Sequence, residues 1–195
     1  GGHTRSSSEV PGWGNAGYLA GRYDSDDSGN PPRTPWEQYL WIKSDPEANF
    51  RLPELVGSTE YRWLRVVPAD TLARKLRKRW RIGVVKAVIP LARDSSGHVQ
   101  EVLIRGSRRD VVITSEHEIR HYLGLDSLRS TLFVVETMKD PSGVPTEFWF
   151  YGGGWGHSIG ICQSGAAGLA LRRKFTAEQI LQFYYAGTSL KPISE

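Results

Sequence analysis

The sequence predicts an α+β fold with an antiparallel, β-rich core, a few short helices and a long irregular N-terminal segment. Three runs rich in β-branched residues, at 84–91, 99–104 and 111–113, are separated by turns, which is typical of an antiparallel meander. Helical and strand patterns are segregated along the chain instead of strictly alternating, and this favours α+β over a parallel α/β arrangement. The 195 residues, 39% of them hydrophobic, suffice for one domain with its own core.

We expect a single domain over 1–195, in which an irregular segment at 1–60 wraps over a core at 61–195. The first segment is rich in Gly and Pro and lacks periodicity, but it carries scattered aromatic residues. Packing against the core is the preferred interpretation of these residues, and stacking on sugar rings is the alternative. They are Trp13, Tyr18, Trp36, Tyr39 and Trp41.

The core pattern also predicts elements on both sides of the meander. A strand at 61–67 precedes a helix from about 70 to 80, and capping-box patterns begin helices at Ser115 and at Thr176. Strands are expected at 130–138 and 146–151. The second of these enters the stretch from which we infer a functional site.

That stretch is the glycine-rich junction (residues 150–167), with the sequence FYGGGWGHSIGICQSGAA. It follows an aromatic strand and precedes a run of small residues typical of a closely packed helix. Its six glycines permit positive φ angles and close approach to the backbone. Hydrogen-bonding and reactive side chains lie between them, so the junction is more typical of a site than of a plain connection.

Charge and composition exclude several classes of protein. The net charge is +4, and much of the positive charge lies in a basic stripe at 74–81. A solvated helix face is the preferred interpretation of this stripe, and contact with nucleic acid, an anionic lipid or an anionic cell-wall polymer is the alternative. We expect no nucleic-acid partner, and because the glycines fit neither GxGxxG nor a P-loop, we expect no nucleotide site. No window is long and apolar enough for a transmembrane segment, and the single cysteine excludes an intramolecular disulfide.

Two chemistries remain open at the junction from residue types alone. His157 and Cys162 could form a base and thiolate pair for nucleophilic catalysis, although no orienting acid or amide can be assigned. The same two residues with His3 could hold zinc, although their spacing lacks a paired-ligand signature. Both are weaker interpretations than a structural role, and no cofactor is the preferred expectation.

The other histidines are expected to be structural or exposed. His117 and His121 lie one helical turn apart, and the run HEIRH has the HExxH order of a metalloprotease, but a surface or core position is the preferred interpretation. His98 is expected at the surface of a turn or strand.

Five blocks of the chain resemble, in order, the SpoIID/LytB family, also called stage II sporulation protein D or amidase enhancer. The closing signature of that family is similar to GWGHSIGICQSGAAG at 154–168 and ILQFYYAGT at 180–188. GGHTRSSSEV at 1–10 resembles its S-G-G-x-T block, EIRHYLGL at 118–125 its E-x-R-x-x-L-G-L helix, and LRSTLF at 128–133 its L-x-S-T-x-F strand entry.

The resemblance implies a bacterial peptidoglycan-remodelling protein of the cell envelope or extracellular space. Its activity would be that of a lytic transglycosylase on peptide-free (denuded) glycan strands. The alternative is a non-catalytic wall-binding module that enhances a separate amidase. The implied substrate-binding residues are Trp155, Gly156, His157, Gly160, Cys162, Gln163, Arg120 and Thr4, and His157, Cys162 and Gln163 are also the candidates for a catalytic role.

Two departures from the family pattern matter for function. Ser158 stands where the family usually has Gly, and Cys162 stands in a place often held by Ser. The glutamate proposed as the catalytic acid of the family lies upstream of the block matched at 1–10. We therefore expect this chain to be a domain truncated at its N-terminal side that supplies the substrate groove, with Glu9 or Glu118 as the substitute acids to test.

Overall fold

The computed structural model describes residues 1–24, 31–46, 48–52 and 61–191. Within these residues, six strands form two three-stranded antiparallel sheets, accompanied by five α-helices and a short 3-10 turn at Ser7–Glu9. The strands are β1 (Arg62–Pro68), β2 (Val85–Arg93), β3 (Val99–Gly106), β4 (Val111–Ile113), β5 (Phe133–Lys139) and β6 (Pro145–Gly153). The helices are α1 (Pro35–Lys43), α2 (Ala69–Leu76), α3 (Glu116–Leu123), α4 (Gln163–Arg173) and α5 (Ala177–Tyr184). The predicted class, α+β with an antiparallel β-rich core, is confirmed.

The first sheet has the order β1-β6-β5, so the strand that enters the glycine-rich junction is its central strand. Phe148 and Phe150 of β6 point into the core and are 0% exposed. Complete burial of such a side chain contributes about 1.5–3 kcal/mol. Gly152, near the end of the strand, lies against the indole of Trp63, where any Cβ would overlap the ring. These contacts fix the point from which the junction departs.

The second sheet is the predicted meander, with the order β2-β3-β4. The pairing of β2 with β3 shifts register around Pro90, where the strand lacks a backbone N–H donor. One face of this sheet, the first sheet and helices α2 and α3 enclose a continuous apolar core. The helices contribute Leu72, Leu76, Ile119 and Leu123, all nearly inaccessible to solvent.

The irregularity predicted for residues 1–60 is wrong at α1. Thr34 and Glu37 form a capping box there, and Pro35 occupies the first turn, where its missing N–H costs nothing. The sequence pattern hid this helix because its apolar residues are spread around it rather than gathered on one face. Ile42 of α1 packs with Leu132 and Val134 beside the first sheet.

The prediction of core packing is confirmed for two of the five N-terminal aromatic residues and is wrong for the other three. Tyr39 and Trp41 pack against the small cluster around Ile42. The side chains of Trp13, Tyr18 and Trp36 are 46%, 51% and 65% exposed. These three aromatic side chains are therefore available at the surface.

A buried ion-pair cluster fastens the first residues of the chain to the core. Arg5 is 2% exposed, and its guanidinium contacts the carboxylates of Asp94 at 2.6 Å and Glu116 at 2.7 Å. Asp94 follows β2 and Glu116 begins α3, so one side chain joins three distant parts of the sequence. The backbone N–H of Arg5 also donates to the Ser158 carbonyl at 2.7 Å, which brings the start of the chain against the junction.

Helices α4 and α5 form a hairpin with a small cluster of their own, built on Leu169, Ile180 and Tyr184. Gly168 lies against the backbone of Asn49, so the small-residue run in α4 permits the close packing that its composition predicted. None of the helices in the described part of the chain is long and apolar enough to cross a membrane.

Candidate functional site

Three backbone segments lie side by side at the end of the first sheet. The N-terminal ribbon (residues 1–5) pairs on one side with residues 22–24, through the Thr4 N–H to the Arg22 carbonyl and the Asp24 N–H to the Gly2 carbonyl. On its other side it pairs with the glycine-rich junction, as a parallel bridge between Arg5 and Ile159. Two blocks far apart in sequence, 1–10 and 154–168, are thus in direct contact.

The junction is held in place by hydrogen bonds to its backbone as it leaves β6. Trp63 Nε1 donates to the Gly154 carbonyl at 2.9 Å, and Ser130 Oγ donates to the Gly153 carbonyl at 2.7 Å. Further along, the Ile161 N–H donates to Tyr185 Oη at 3.2 Å. Such fixed backbone geometry is what a preorganised site requires.

A cleft of about 780 Å³ opens between the ribbon and the junction. This volume lies within the range of small-molecule binding sites. Seven of the eight residues proposed for substrate binding line it, namely Thr4, Trp155, Gly156, His157, Gly160, Cys162 and Gln163. Arg120 is the exception, since it contacts Glu116 at 3.7 Å and donates to the Leu128 carbonyl instead. The contacts of Arg120 are therefore those of a structural ion pair.

Aromatic side chains stand at the mouth of the cleft. Trp155 is 68% exposed, and the Arg129 guanidinium lies 5.5 Å from its ring centre. The ring of Trp13 lies against that of His157, with 4.8 Å between ring centres and an angle of 36°. Sequence reasoning assigned Trp13 to the core and therefore missed it as a site residue.

The His157 and Cys162 side chains have structural contacts that do not match an activated base and thiolate. His157 Nδ1 accepts the backbone N–H of Ile159 at 3.0 Å. Cys162 is the N-cap of α4, where its sulfur accepts the Gly165 N–H at 3.4 Å. Burial raises the pKa of the Cys162 thiol, which favours the unreactive protonated form.

His3, His157 and Cys162, the three residues considered for zinc, line the same cleft. Among the described residues, no group of three or more His, Cys, Asp or Glu side chains is arranged to hold a metal ion. His3 Nδ1–H instead donates a hydrogen bond to the Thr4 carbonyl at 2.6 Å, and the His3 ring lies beside the Tyr23 ring. Burial lowers the pKa of His3, because its charged form is desolvated.

Asp24 provides the one carboxyl group among the described residues that line the cleft. Its side chain is buried, and its two oxygens accept hydrogen bonds from Asn49 Nδ2 at 2.8 Å and the Phe50 N–H at 2.9 Å. In the sequence Asp24 begins the polar run DSDDSGNPP at 24–32, where no local pattern marks it as a site residue. Its role depends on contacts with residues about 25 positions away.

The two acids proposed as substitutes for an upstream glutamate lie outside the cleft. Glu9 accepts hydrogen bonds from the backbone and side chain of Ser95. Glu118 forms an ion pair with Arg79 on the basic stripe. Neither glutamate lines the cleft, and each carboxylate is held by these partners.

His98 is buried, so the prediction of a surface position is wrong. Its side chain is 1% exposed beneath the junction, and its ring nitrogens contact Ser96 Oγ at 2.8 Å and Ser158 Oγ at 3.1 Å. Ser158 itself lines the cleft. Burial, with Arg5 as the largest electrostatic contribution, lowers the pKa of His98 well below its ordinary value, so the imidazole is neutral.

The basic stripe (residues 74–81) does not line the cleft. Arg74 pairs with Asp70 one turn away, and Lys75 donates to the carbonyls at 124–126. These contacts lie on helix α2 and beyond its end, in agreement with the solvated helix face preferred from the sequence.

Comparison with known families gives one match. A family described as a domain of unknown function (DUF8618) matches residues 52–160, more than half of the 195 residues. The chain belongs to this family. The matched part spans both sheets and ends inside the junction, at Gly160. No protein with a curated description matches the chain.

Proposed function

We propose that the cleft is a groove for peptidoglycan glycan strands, in a bacterial protein of the cell envelope or extracellular space. The observation that carries the proposal is the contact between the N-terminal ribbon and the glycine-rich junction. These are two of the blocks that resemble the SpoIID/LytB family, and together they form one cleft with exposed aromatic rings at its mouth.

The chemistry of the cleft suits a sugar chain. Exposed indole faces such as Trp155 and Trp13 can stack on the apolar faces of pyranose rings. Backbone groups at the glycines, together with Gln163 and the free ring nitrogen of His157, can hydrogen-bond to sugar hydroxyls. The walls are therefore polar between aromatic contacts, as glycan binding requires.

Glycan cleavage would need more than the cleft contains. A lytic transglycosylase uses a carboxylic acid that protonates the glycosidic oxygen and then accepts a proton from the attacking sugar hydroxyl. Asp24 is poorly suited to this, since both of its oxygens already accept hydrogen bonds that favour the carboxylate. The proposed function of the cleft is therefore glycan binding. None of its residues is assigned the proton transfer that cleavage of a glycosidic bond requires.

The same observation favours a second candidate function, a non-catalytic wall-binding module that enhances a separate amidase. Binding without cleavage is what a groove without a free acid would perform. A cell-wall amidase is then the expected protein partner.

Binding to denuded glycan strands tests the groove. Peptide-free strands should be retained by the immobilised protein, and Trp155→Ala or Trp13→Ala should weaken their affinity by about tenfold, the loss of one ring contact of ~1.4 kcal/mol. Trp36→Ala is the matched control, because this tryptophan is 65% exposed on α1 and stacks on Tyr39, whereas Trp155 lines the cleft and Trp13 contacts the cleft residue His157.

The binding measurements test whether the groove exists, and the reaction products distinguish glycan cleavage from amidase enhancement. Equal binding by all three tryptophan variants, or no binding by the unaltered protein, contradicts the groove. If strands bind, mass spectrometry of the products distinguishes the two functions. Products with 1,6-anhydro ends indicate cleavage, whereas intact strands, together with faster hydrolysis of peptide-bearing peptidoglycan by an added amidase, indicate enhancement.

A further inference from the structure

A line of hydrogen-bonded side chains leads from the cleft into the protein interior, and nothing in the proposed glycan groove requires it. It runs from Ser158 through His98 and Ser96 to Asp94. The distances are 3.1 Å from Ser158 Oγ to His98 Nε2, 2.8 Å from His98 Nδ1 to Ser96 Oγ, and 2.7 Å from Ser96 Oγ to Asp94 Oδ1.

The number of donor hydrogens on these side chains fixes the direction of each hydrogen bond. Asp94 forms an ion pair with Arg5, so its carboxylate only accepts, and the single hydroxyl hydrogen of Ser96 must go to it. Ser96 Oγ can then only accept from His98 Nδ1–H. In the neutral imidazole, His98 Nε2 is therefore without a proton, and it accepts the hydroxyl hydrogen of Ser158.

We propose that Ser158 is a nucleophile with His98 as its general base, and that the cleft hydrolyses carboxylic esters. A hydroxyl bonded to an unprotonated imidazole nitrogen, whose other nitrogen is oriented through a carboxylate, is the arrangement that activates serine for acyl transfer. Here Ser96 is inserted between His98 and Asp94. The arrangement resembles a serine, histidine and aspartate triad in the order of its hydrogen-bond donors and acceptors, and not in its fold.

The backbone of Ser158 supports an active role. Its φ is 63°, in the left-handed region where glycine is favoured, and the Arg5 N–H holds its carbonyl at 2.7 Å. Strained, over-determined backbone is concentrated at functional sites, and nucleophilic serines in other folds also occupy strained turns. A glycine would fit this position more easily, yet a serine occupies it with its hydroxyl on His98.

The reaction balances without a cofactor. Ser158 Oγ adds to the ester carbonyl carbon while its proton moves to His98 Nε2, and the alcohol leaves with that proton as its C–O bond breaks. Water then attacks the acyl-serine and gives a proton to His98, which returns it to Ser158 as the acid departs. The substrate class, O-acyl esters of sugars, follows from the groove and rests on the proposed function.

An alkyl fluorophosphonate tests the nucleophile without any glycan. Ser158 Oγ should form an O–P bond with loss of fluoride, and peptide mapping by mass spectrometry should find the adduct at residue 158. Ser158→Gly should abolish the adduct while leaving the near-ultraviolet circular dichroism unchanged, because glycine fits the left-handed backbone. Ser8→Ala, an exposed serine outside the cleft, is the control that keeps the adduct.

The role of His98 is tested by its own variant and by pH. His98→Gln should slow labelling by at least ~100-fold. Labelling of the unaltered protein should stay constant from about pH 8 to about pH 6, where an ordinary histidine becomes protonated. The groups facing His98 are Asp94, which favours the imidazolium, and four cationic or titratable groups that oppose it, namely Arg5, the amino group of Gly1, His3 and Arg93.

The labelling results decide whether Ser158 is a nucleophile and whether His98 is its general base. Absence of an adduct at Ser158 in folded protein, or labelling of folded His98→Gln at the original rate, overturns it. If His98→Gln does not fold, Ser158→Gly and the pH profile decide alone. Hydrolysis of p-nitrophenyl acetate and of acetylated glycan strands then identifies the ester. Labelling without strand binding would retain the nucleophile and refute the glycan groove.

Discussion

Removing Arg5 should destabilise the protein more than removing any exposed arginine. Arg5→Met keeps most of the aliphatic volume but leaves the carboxylate of Asp94, which is 0% exposed, without its cation. Breaking a buried pair by removing one partner costs about 3–5 kcal/mol. For a chain of this size, that loss corresponds to a decrease in melting temperature on the order of 10 °C.

Urea denaturation of the two proteins, followed by tryptophan fluorescence, measures this difference. Arg74→Met is the matched control, because its ion pair with Asp70 is 63% and 78% exposed and should contribute no more than ~0.5 kcal/mol. Adding Asp94→Asn to Arg5→Met should recover part of the loss, since the stranded charge is removed while an acceptor oxygen remains. A loss of less than about 1 kcal/mol for Arg5→Met would refute the reasoning.

The remaining predictions concern packing, reactivity, capping and pH. Gly168→Ala should lower stability by at least ~1 kcal/mol in thermal melts, because overpacking against the Asn49 backbone exceeds the helix-propensity gain. Iodoacetamide at about pH 8 should alkylate Cys162 at least ~10-fold more slowly in the folded than in the urea-unfolded protein, since burial raises its pKa; equal rates would contradict this. Thr176→Ala should cost about 1 kcal/mol in urea denaturation by removing the capping box of α5. The lowered pKa of His98 means that the unfolded chain binds more protons below about pH 6.5, so stability should fall between about pH 7.5 and about pH 5, and less steeply in His98→Gln.

Local patterns predicted most of the elements because their causes are local. The β-branched runs of β2, β3 and β4 and the capping box at Thr176 each act within a few residues, and the structure has these elements where the pattern places them. Helix α1 was missed because its signals, a capping box and a proline, lacked an apolar face to support them. The helix predicted from about 70 to 80 ends earlier, at Leu76, as helix ends depend on tertiary contacts.

The candidate site was predictable only in part. The glycine-rich junction was identified because glycines, polar side chains and a strand-to-helix transition coincide within 150–167. Arg120 was included through a motif, but the structure directs its guanidinium to Glu116. Asp24 and His98 were missed, because each acquires its place from partners distant in sequence.

The sequence by itself determined the class of fold, the meander, and the junction as the place to look for chemistry, since periodicity and residue type encode these features within short windows. Only the tertiary structure decided which groups meet there. It brought the N-terminal ribbon beside the junction, buried Arg5 between two carboxylates, and set His98 under Ser158 across 60 residues of chain. The physical reason is that burial and hydrogen-bond partners are properties of the packed chain, and a histidine or carboxylate carries no local signal of the neighbours that will fix its charge.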